Sequence, residues 1–395
     1  MKPTSADVVV IGAGVRGTSI AYHLAKAGVD TIVVDRGFIC SNTSGATFAL
    51  INVSSKTPAA YTELSLASSK LYDGLAEELD CDIEFHSGTQ VFYMIDREED
   101  LPAAHSFIQR MQSASDLTFD MLTPDQVREF EPSVSPQIAG GILCHQDGRV
   151  NPFRLTFGYA AAARRLGARF LTQHEVVGIQ VEHERVQAVL TQHGAISCRW
   201  VVNAAGIDTA TIGAMVGTDV PVAAFRAQAL TTEPLPGLLR QPVGTLTEHL
   251  EIVPTDAGPI LLLIASDNEF VGQDRTVEWE AMTGALVRRA ASIIPALANA
   301  RIIRAWAGLR PWPIDGLPIM GPVPGIDGFL IATGHSGYTL AQITGQIIRD
   351  LIVTGHTTLP LYPFSLDRFH EGRFAFSMRA WQNAKSSTQT VPLLV

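Results

Sequence analysis

Three observations predict an α/β chain in which a Rossmann-type dinucleotide-binding domain is interrupted by an inserted antiparallel-sheet α+β domain. A glycine fingerprint stands between two apolar strands near the N-terminus. A turn-rich stretch past residue 168 has the rhythm of a β-meander. Residues 82–140 and 219–280 mix strand-like segments, β-branched residues and prolines without the parallel βαβ spacing.

The N-terminal element carries the most information. Val8-Val9-Val10-Ile11 reads as a buried strand, and Gly12-Ala13-Gly14-Val15-Arg16-Gly17 follows it directly. The helix opened there runs through Ile20, Leu24 and Ala27, and a second apolar run, Thr31-Ile32-Val33-Val34, ends in Asp35 and Arg36. Strand, glycine turn, helix, strand and acid in register form the dinucleotide fingerprint. Gly12 permits the tight turn, Gly14 lets the backbone approach a pyrophosphate, and Gly17 lets the helix pack on the strand. The phosphates then face the positive helix end, and Asp35 is placed for an adenosine ribose. The fingerprint alone does not separate NAD from FAD. Next comes Cys40-Ser41-Asn42-Thr43-Ser44-Gly45-Ala46-Thr47, a small polar loop. Its N–H groups and hydroxyls suit a flat ring or a phosphate.

The second block starts at Asp147-Gly148-Arg149-Val150-Asn151-Pro152, a turn followed by a helix over 153–166 that ends at Gly167. Strands over 169–172 and 175–179 follow, and 186–190 and 197–202 read as a meander. It ends at Asn203-Ala204-Ala205-Gly206, small residues where a sheet edge can meet a cofactor. A long helix is expected over 277–294.

Composition bounds the function. The chain has 395 residues, 46% of them hydrophobic and 17% charged, which suits one or two domains with a large core. Net charge is −10 and no basic stripe is visible, so nucleic acid is not expected as a partner. No apolar run reaches the roughly 18 residues that span a bilayer, so no integral membrane segment is expected. The apolar N-terminal stretch is the fingerprint strand rather than a cleavable signal, and the expected location is the cytoplasm. Cys40, Cys81, Cys144 and Cys198 are far apart with no His at ligand spacing, so no metal site is expected.

The third block reads Gly308-Leu309-Arg310-Pro311, then Asp315-Gly316-Leu317-Pro318-Ile319-Met320-Gly321, then Gly334-His335-Ser336-Gly337-Tyr338-Thr339 opening a helix to about residue 352. With the fingerprint and the Ser/Gly loop, these motifs stand in an order that resembles the FAD-dependent D-amino-acid oxidase superfamily. That superfamily includes glycine and sarcosine oxidases, opine oxidase subunits and hydroxyproline dehydrogenases. The resemblance covers residues 7–361 and is nearest in style to the B component of opine oxidase and the beta components of D-hydroxyproline dehydrogenase. It implies FAD, held non-covalently, with Met320 where one relative has its flavin-linked cysteine. It also implies hydride transfer to flavin N5 from the carbon beside an amine, on a secondary, N-substituted or D-amino acid of the opine or hydroxyproline type. The imine is then hydrolysed. A self-contained oxidase using oxygen and an FAD-binding structural subunit are the alternatives.

The implied division is an FAD-binding domain at 1–81, 141–215 and 305–365, a substrate domain at 82–140 and 216–304, and a tail at 366–395. The 12–17 fingerprint, Asp35, Arg36, Thr43, Ser44, Gly45, Val176, Val177, Ala204, Ala205, Gly206 and residues 334–339 are expected at the cofactor. The resemblance gives Arg310 the substrate carboxylate, through a bidentate guanidinium, and a place at the cofactor edge. His335, Tyr338, His249 and Glu251 are the other candidates for the reaction site. Trp306 and Trp312 read as packing, and Arg226 belongs to a strand near the flavin.

No lysine stands between Lys70 and Lys385. Relatives that react quickly with oxygen use a fixed cation near the flavin, some of them a lysine from the substrate-domain strands. This gap favours a dehydrogenase that passes electrons to partner subunits carrying an acceptor such as an iron–sulfur protein. Aromatic and Met residues over 374–381 are the expected partner contact.

Overall fold

The computed structural model describes residues 4–369 apart from 89–90, 247–249, 265–268, 271 and 273. The expected partner contact over 374–381 and the candidate His249 lie outside the described residues.

One sheet has six strands in the order Arg169–Thr172, Thr31–Asp35, Val8–Ile11, Trp200–Asn203, Phe329–Thr333 and Ile319–Pro322. All neighbours are parallel except the last pair. A parallel strand is buried on both faces, and Val8–Ile11 shows it. Val8 and Val10 pack with Ile20, Tyr159 and Ile348 on the helical side. Val9 and Ile11 pack with Val186, Val189 and Ile196 on the other. The helical layer is Val15–Lys26, Pro152–Arg165 and Ala341–Val353. Pro152–Arg165 starts at the turn read from the sequence because Asn151 Oδ1 accepts from Phe153 N–H at 3.0 Å and Arg154 N–H at 3.1 Å, with Pro152 in the first turn.

The opposite layer is a four-stranded sheet ordered Thr4–Ser5, Gly194–Ser197, Arg185–Thr191 and Val176–Glu182. The meander therefore ends at Ser197, not at 202. Trp200–Asn203 crosses into the six-stranded sheet beside Val8–Ile11. Val201 and Val202 are both fully buried, the burial pattern of a central parallel strand rather than of a half-exposed meander strand.

The second region is a nine-stranded sheet. Its longest pair is Val222–Pro234 with Ile302–Pro313, antiparallel along nearly their whole length. Pro259–Ile264, Leu250–Pro254 and Val243–Thr245 continue it, Val91–Ile95, Gly140–Cys144 and Phe119–Leu122 follow, and the short Glu269–Phe270 pairs with Val222–Pro234 at the other end. Among the described residues its one parallel neighbour pair is Val243–Thr245 with Val91–Ile95. Residues 141 and 305, where domain boundaries were expected, fall inside strands of this sheet. The helix expected over 277–294 is Trp279–Ala281, a wider π-turn Met282–Leu286 and Val287–Ile293. Its buried Leu286, Ala290 and Ile293 cover Leu230, Leu250 and Ile252.

Candidate active site

A single cavity of about 1110 Å³ runs from the glycine turn to the nine-stranded sheet. At the turn, Gly12 has φ +108°, and a Cβ there would lie 2.5 Å from Ala204 O. A Cβ on Gly17 would sit 1.8 Å from Gly12 O, so helix and turn meet only through glycine. Gly14 opens on Ser44, 2.9 Å from where its Cβ would be, and Ser44 Oγ accepts from Val15 N–H at 3.0 Å. Asp35 accepts from Ala13 N–H and Gly37 N–H, both at 2.7 Å, which fixes the turn while the residue still lines the cavity. Arg36 pairs with Asp208 at 2.7 Å.

Among the expected cofactor positions, Gly12, Gly14, Val15, Arg16, Asp35, Arg36, Thr43, Ser44, Val176, Ala204, Ala205, Gly206 and residues 334–339 line this cavity. Ala13, Gly17 and Gly45 stand behind its wall. A Cβ on Gly45 would meet Cys40 O at 2.3 Å. Val177 departs from expectation: it is 59% exposed and off the wall, because strand alternation that turns Val176 inward turns Val177 to solvent. The close backbone approach at Gly12 and Gly14, the adjoining hydroxyl of Ser44 and the long cavity fit a dinucleotide.

The 334–339 segment is held from beneath. The buried Arg16 guanidinium donates to Gly334 O and, at 2.7 Å, to His335 O. Burial lowers its pKa to about 10. The helix expected to open at Gly334 begins instead at Ala341. Two tight turns precede it, closed by Leu340 N–H to Ser336 O at 3.0 Å and Ala341 N–H to Tyr338 O at 3.2 Å. His335 packs on Trp312 with ring centres 4.7 Å apart and planes tilted by 47°, and its Nδ1 is 3.0 Å from Ser336 Oγ. Burial, then the charges of Lys56, Arg310 and Arg16, holds its pKa well below the usual histidine value, so the ring is neutral. Tyr338 does not present its hydroxyl to a reacting group. That oxygen is 2.9 Å from Thr156 Oγ1, 3.0 Å from Ser44 O and 3.1 Å from Pro152 O, and so ties loop to helix.

The far end of the cavity carries the charges. Arg310, on Ile302–Pro313, sits between Phe225 at 5.1 Å and Trp312 at 5.6 Å. Its Nε has no hydrogen-bond partner among the described residues. Burial lowers its pKa to about 10, against the pull of Glu251. Burial raises Glu251, while Arg310 and then Lys56 hold it down. Arg226 takes no part: it is tied to Asp274 at 3.2 Å, to Glu278 and to Thr276 O. Trp306 donates to Ala46 O at 3.2 Å and packs on Phe48.

Lys56 is the residue that sequence reasoning missed. It lines the cavity and is buried, and burial lowers its pKa to about 8. Asp147 and Glu251 oppose that shift and Arg310 adds to it. The lysine-free stretch after Lys70 therefore does not deprive the cavity of a lysine. The group arrives from upstream, on the segment between Leu50–Ile51 and Ala59–Lys70. Among the described residues no cluster of His, Cys, Asp and Glu could hold a metal ion. Nor is any helix there long and apolar enough to cross a membrane.

A dinucleotide cradle opening into a chamber with buried charges fits an oxidoreductase that would hold its redox dinucleotide along the cradle. The chain belongs to the DAO family, FAD dependent oxidoreductases, which it matches over residues 7–351. The hydrogen cyanide synthase subunit HcnC of Pseudomonas aeruginosa is 31% identical, over 95% of this chain and 99% of that protein. The B component of opine oxidase from Rhizobium meliloti is 28% identical, over 92% and 97%. The crystal structure of glycine oxidase from Geobacillus kaustophilus superposes with a TM-score of 0.86 at 28% identity, over 92% of this chain and 99% of that one. The cofactor is FAD, and the chain is a flavoprotein that oxidises C–N bonds of amines and amino acids.

Proposed function

We propose that the substrate is a secondary, N-substituted or D-configured α-amino acid of the opine or hydroxyproline type, anchored through its carboxylate by Arg310. The observation that carries this reading is the Arg310 guanidinium on the cavity wall, braced by Phe225 and Trp312 and with Nε unpartnered among the described residues. Such a fork binds a carboxylate bidentately and fixes the adjacent carbon. Glu251, on the same wall, receives hydrogen bonds from the substrate nitrogen. The neutral His335 ring, packed at a tilt on Trp312, excludes water without adding charge. Bound FAD supplies the two-electron acceptor for the C–H bond beside nitrogen. The substrate leaves as an imine, which water hydrolyses. FAD is held without a covalent bond, so acid precipitation releases it to the supernatant.

The chain works within a hetero-oligomer whose partner subunits carry an acceptor such as an iron–sulfur protein. Relatives named as subunits support that reading. A second reading, a self-contained oxidase using oxygen, is favoured by Lys56, which brings a buried cation to the chamber. Anaerobic flavin bleaching against D-amino acids, sarcosine, proline derivatives and N-carboxyalkyl amino acids tests the substrate class. Bleaching by primary L-amino acids alone refutes it. Comparing oxygen uptake with dye reduction separates the two electron acceptors.

A further inference from the structure

Arg310 accounts for one carboxylate, yet the wall beside it carries a second cation. Lys56 Nζ donates to Asn52 Oδ1 at 2.8 Å and lies 5.9 Å from the centre of the Tyr61 ring. An ammonium has three donors, and this is the one hydrogen bond it makes among the described residues. Asp147 does not supply another. Its carboxylate accepts from Val53 N–H at 2.6 Å, Ser54 N–H at 3.0 Å and the Ser54 hydroxyl, and it stands behind the cavity wall. A buried ammonium is tolerated when an anion meets it, and the space it faces is the cavity.

Glu251 is the third charge of the group. It lies within electrostatic reach of Arg310 and Lys56 alike. The wall thus offers two cations and one carboxylate. A zwitterionic amino acid with one carboxylate matches one cation and the anion and leaves the other cation unanswered. A secondary ammonium flanked by two carboxylates matches all three.

We propose that Lys56 forms a second carboxylate subsite and that the substrate is an imino diacid, an N-(carboxyalkyl) amino acid. Arg310 holds one carboxylate, Lys56 the other, and Glu251 the ammonium between them. This rests on the amine-oxidation reading above and narrows it. The reaction balances. The hydrogen of the C–H bond beside nitrogen would leave with its electron pair for FAD, the two-electron oxidant, and the ammonium would give one proton to solvent as the C=N bond forms. Water then adds to that carbon and the C–N bond breaks. The products are an oxo acid and an amino acid, each keeping one carboxylate. With its pKa at about 8, Lys56 is mostly protonated at neutral pH.

The test uses FAD-loaded enzyme and unreactive analogues. Glutarate has the shape of iminodiacetate without the nitrogen, and butyrate is the same chain with one carboxylate fewer. Glutarate is expected to bind roughly 10- to 150-fold tighter than butyrate, the range of one hydrogen bond to a charged group. Lys56→Met removes that advantage while butyrate binding stays the same, Lys56→Arg keeps it, and Arg310→Met weakens both ligands. Equal binding of the two acids by the wild type, or an unchanged preference in Lys56→Met with full flavin content, overturns the subsite. Sarcosine bleaching as fast as iminodiacetate, without a glutarate preference, overturns the diacid assignment and leaves amine oxidation standing. Bleaching by no amine of the set overturns amine oxidation itself.

Discussion

Replacing Arg310 by alanine is the sharpest single perturbation of this site. In the free protein the guanidinium is held over Phe225 and Trp312, and its Nε makes no hydrogen bond among the described residues. Its ordering is therefore complete before substrate arrives, and little of the gain on pairing with a carboxylate is spent on positioning. Losing such a charge-assisted pair from a partly desolvated wall removes roughly 2–4 kcal/mol of transition-state binding, about 30- to 900-fold in kcat/KM. The sign for stability is opposite. The pKa is lowered in the fold, from 12.5 to about 10, so the folded state disfavours the charged form. At neutral pH that charge opposes folding of the substrate-free protein, and Arg310→Ala does not lower its Tm through electrostatics. The assay is anaerobic single-turnover bleaching, with flavin content and a thermal scan on the same sample. Arg310→Lys keeps the charge but not the fork and stays well below wild type. An unchanged kcat/KM with a carboxylate substrate and full flavin refutes the role.

Three other outcomes follow from the same geometry. Tyr338→Phe removes the hydroxyl that links Thr156 Oγ1, Ser44 O and Pro152 O in a part-buried cluster. It lowers stability in urea by about 1–3 kcal/mol with kcat/KM nearly unchanged, and a large kcat loss at full stability contradicts the scaffold role. Gly17→Ala puts a Cβ 1.8 Å from Gly12 O, so the variant is insoluble or flavin-free, and a soluble yellow protein refutes that. Lys56 titrates at about 8 in the fold against 10.5 as its ordinary value. The unfolded chain binds the extra proton between those values, so stability rises with pH across that window. Lys56→Met flattens the rise, and an unchanged pH slope in urea unfolding refutes it.

The fingerprint was legible because its reasons are local. A glycine is required wherever a Cβ would strike the next element, as at Gly12 and Gly17, and the apolar strands on either side announce a sheet buried on both faces. The order of later motifs placed Arg310 and the 334–339 segment on the cavity. Other features depend on tertiary packing. The Tyr338 hydroxyl points at Thr156 because Pro152–Arg165 packs under the loop, which no spacing within residues 334–339 encodes. Val177 was misplaced by one step of strand alternation. Lys56 escaped notice because a lysine count along the chain measures sequence, whereas the cavity gathers residues from segments far apart in it. The Ser54-Ser55-Lys56 stretch is anchored through Asp147, nearly a hundred positions later, a contact that no local spacing encodes.

Arg16 grips carbonyls that lie 318 and 319 positions further along the chain, and Trp200–Asn203 takes its second neighbour from Phe329–Thr333. During translation the first half of the parallel sheet can assemble while its later strands are still being made. Until they arrive, one side of Trp200–Asn203 is an open edge with unpaired backbone groups, the kind of surface on which nascent chains misassociate. The cradle floor and its roof meet only when the ribosome has delivered nearly the whole described chain. Flavin capture is thus a late event in the life of each molecule, possible only after the strand that closes this seam has been made.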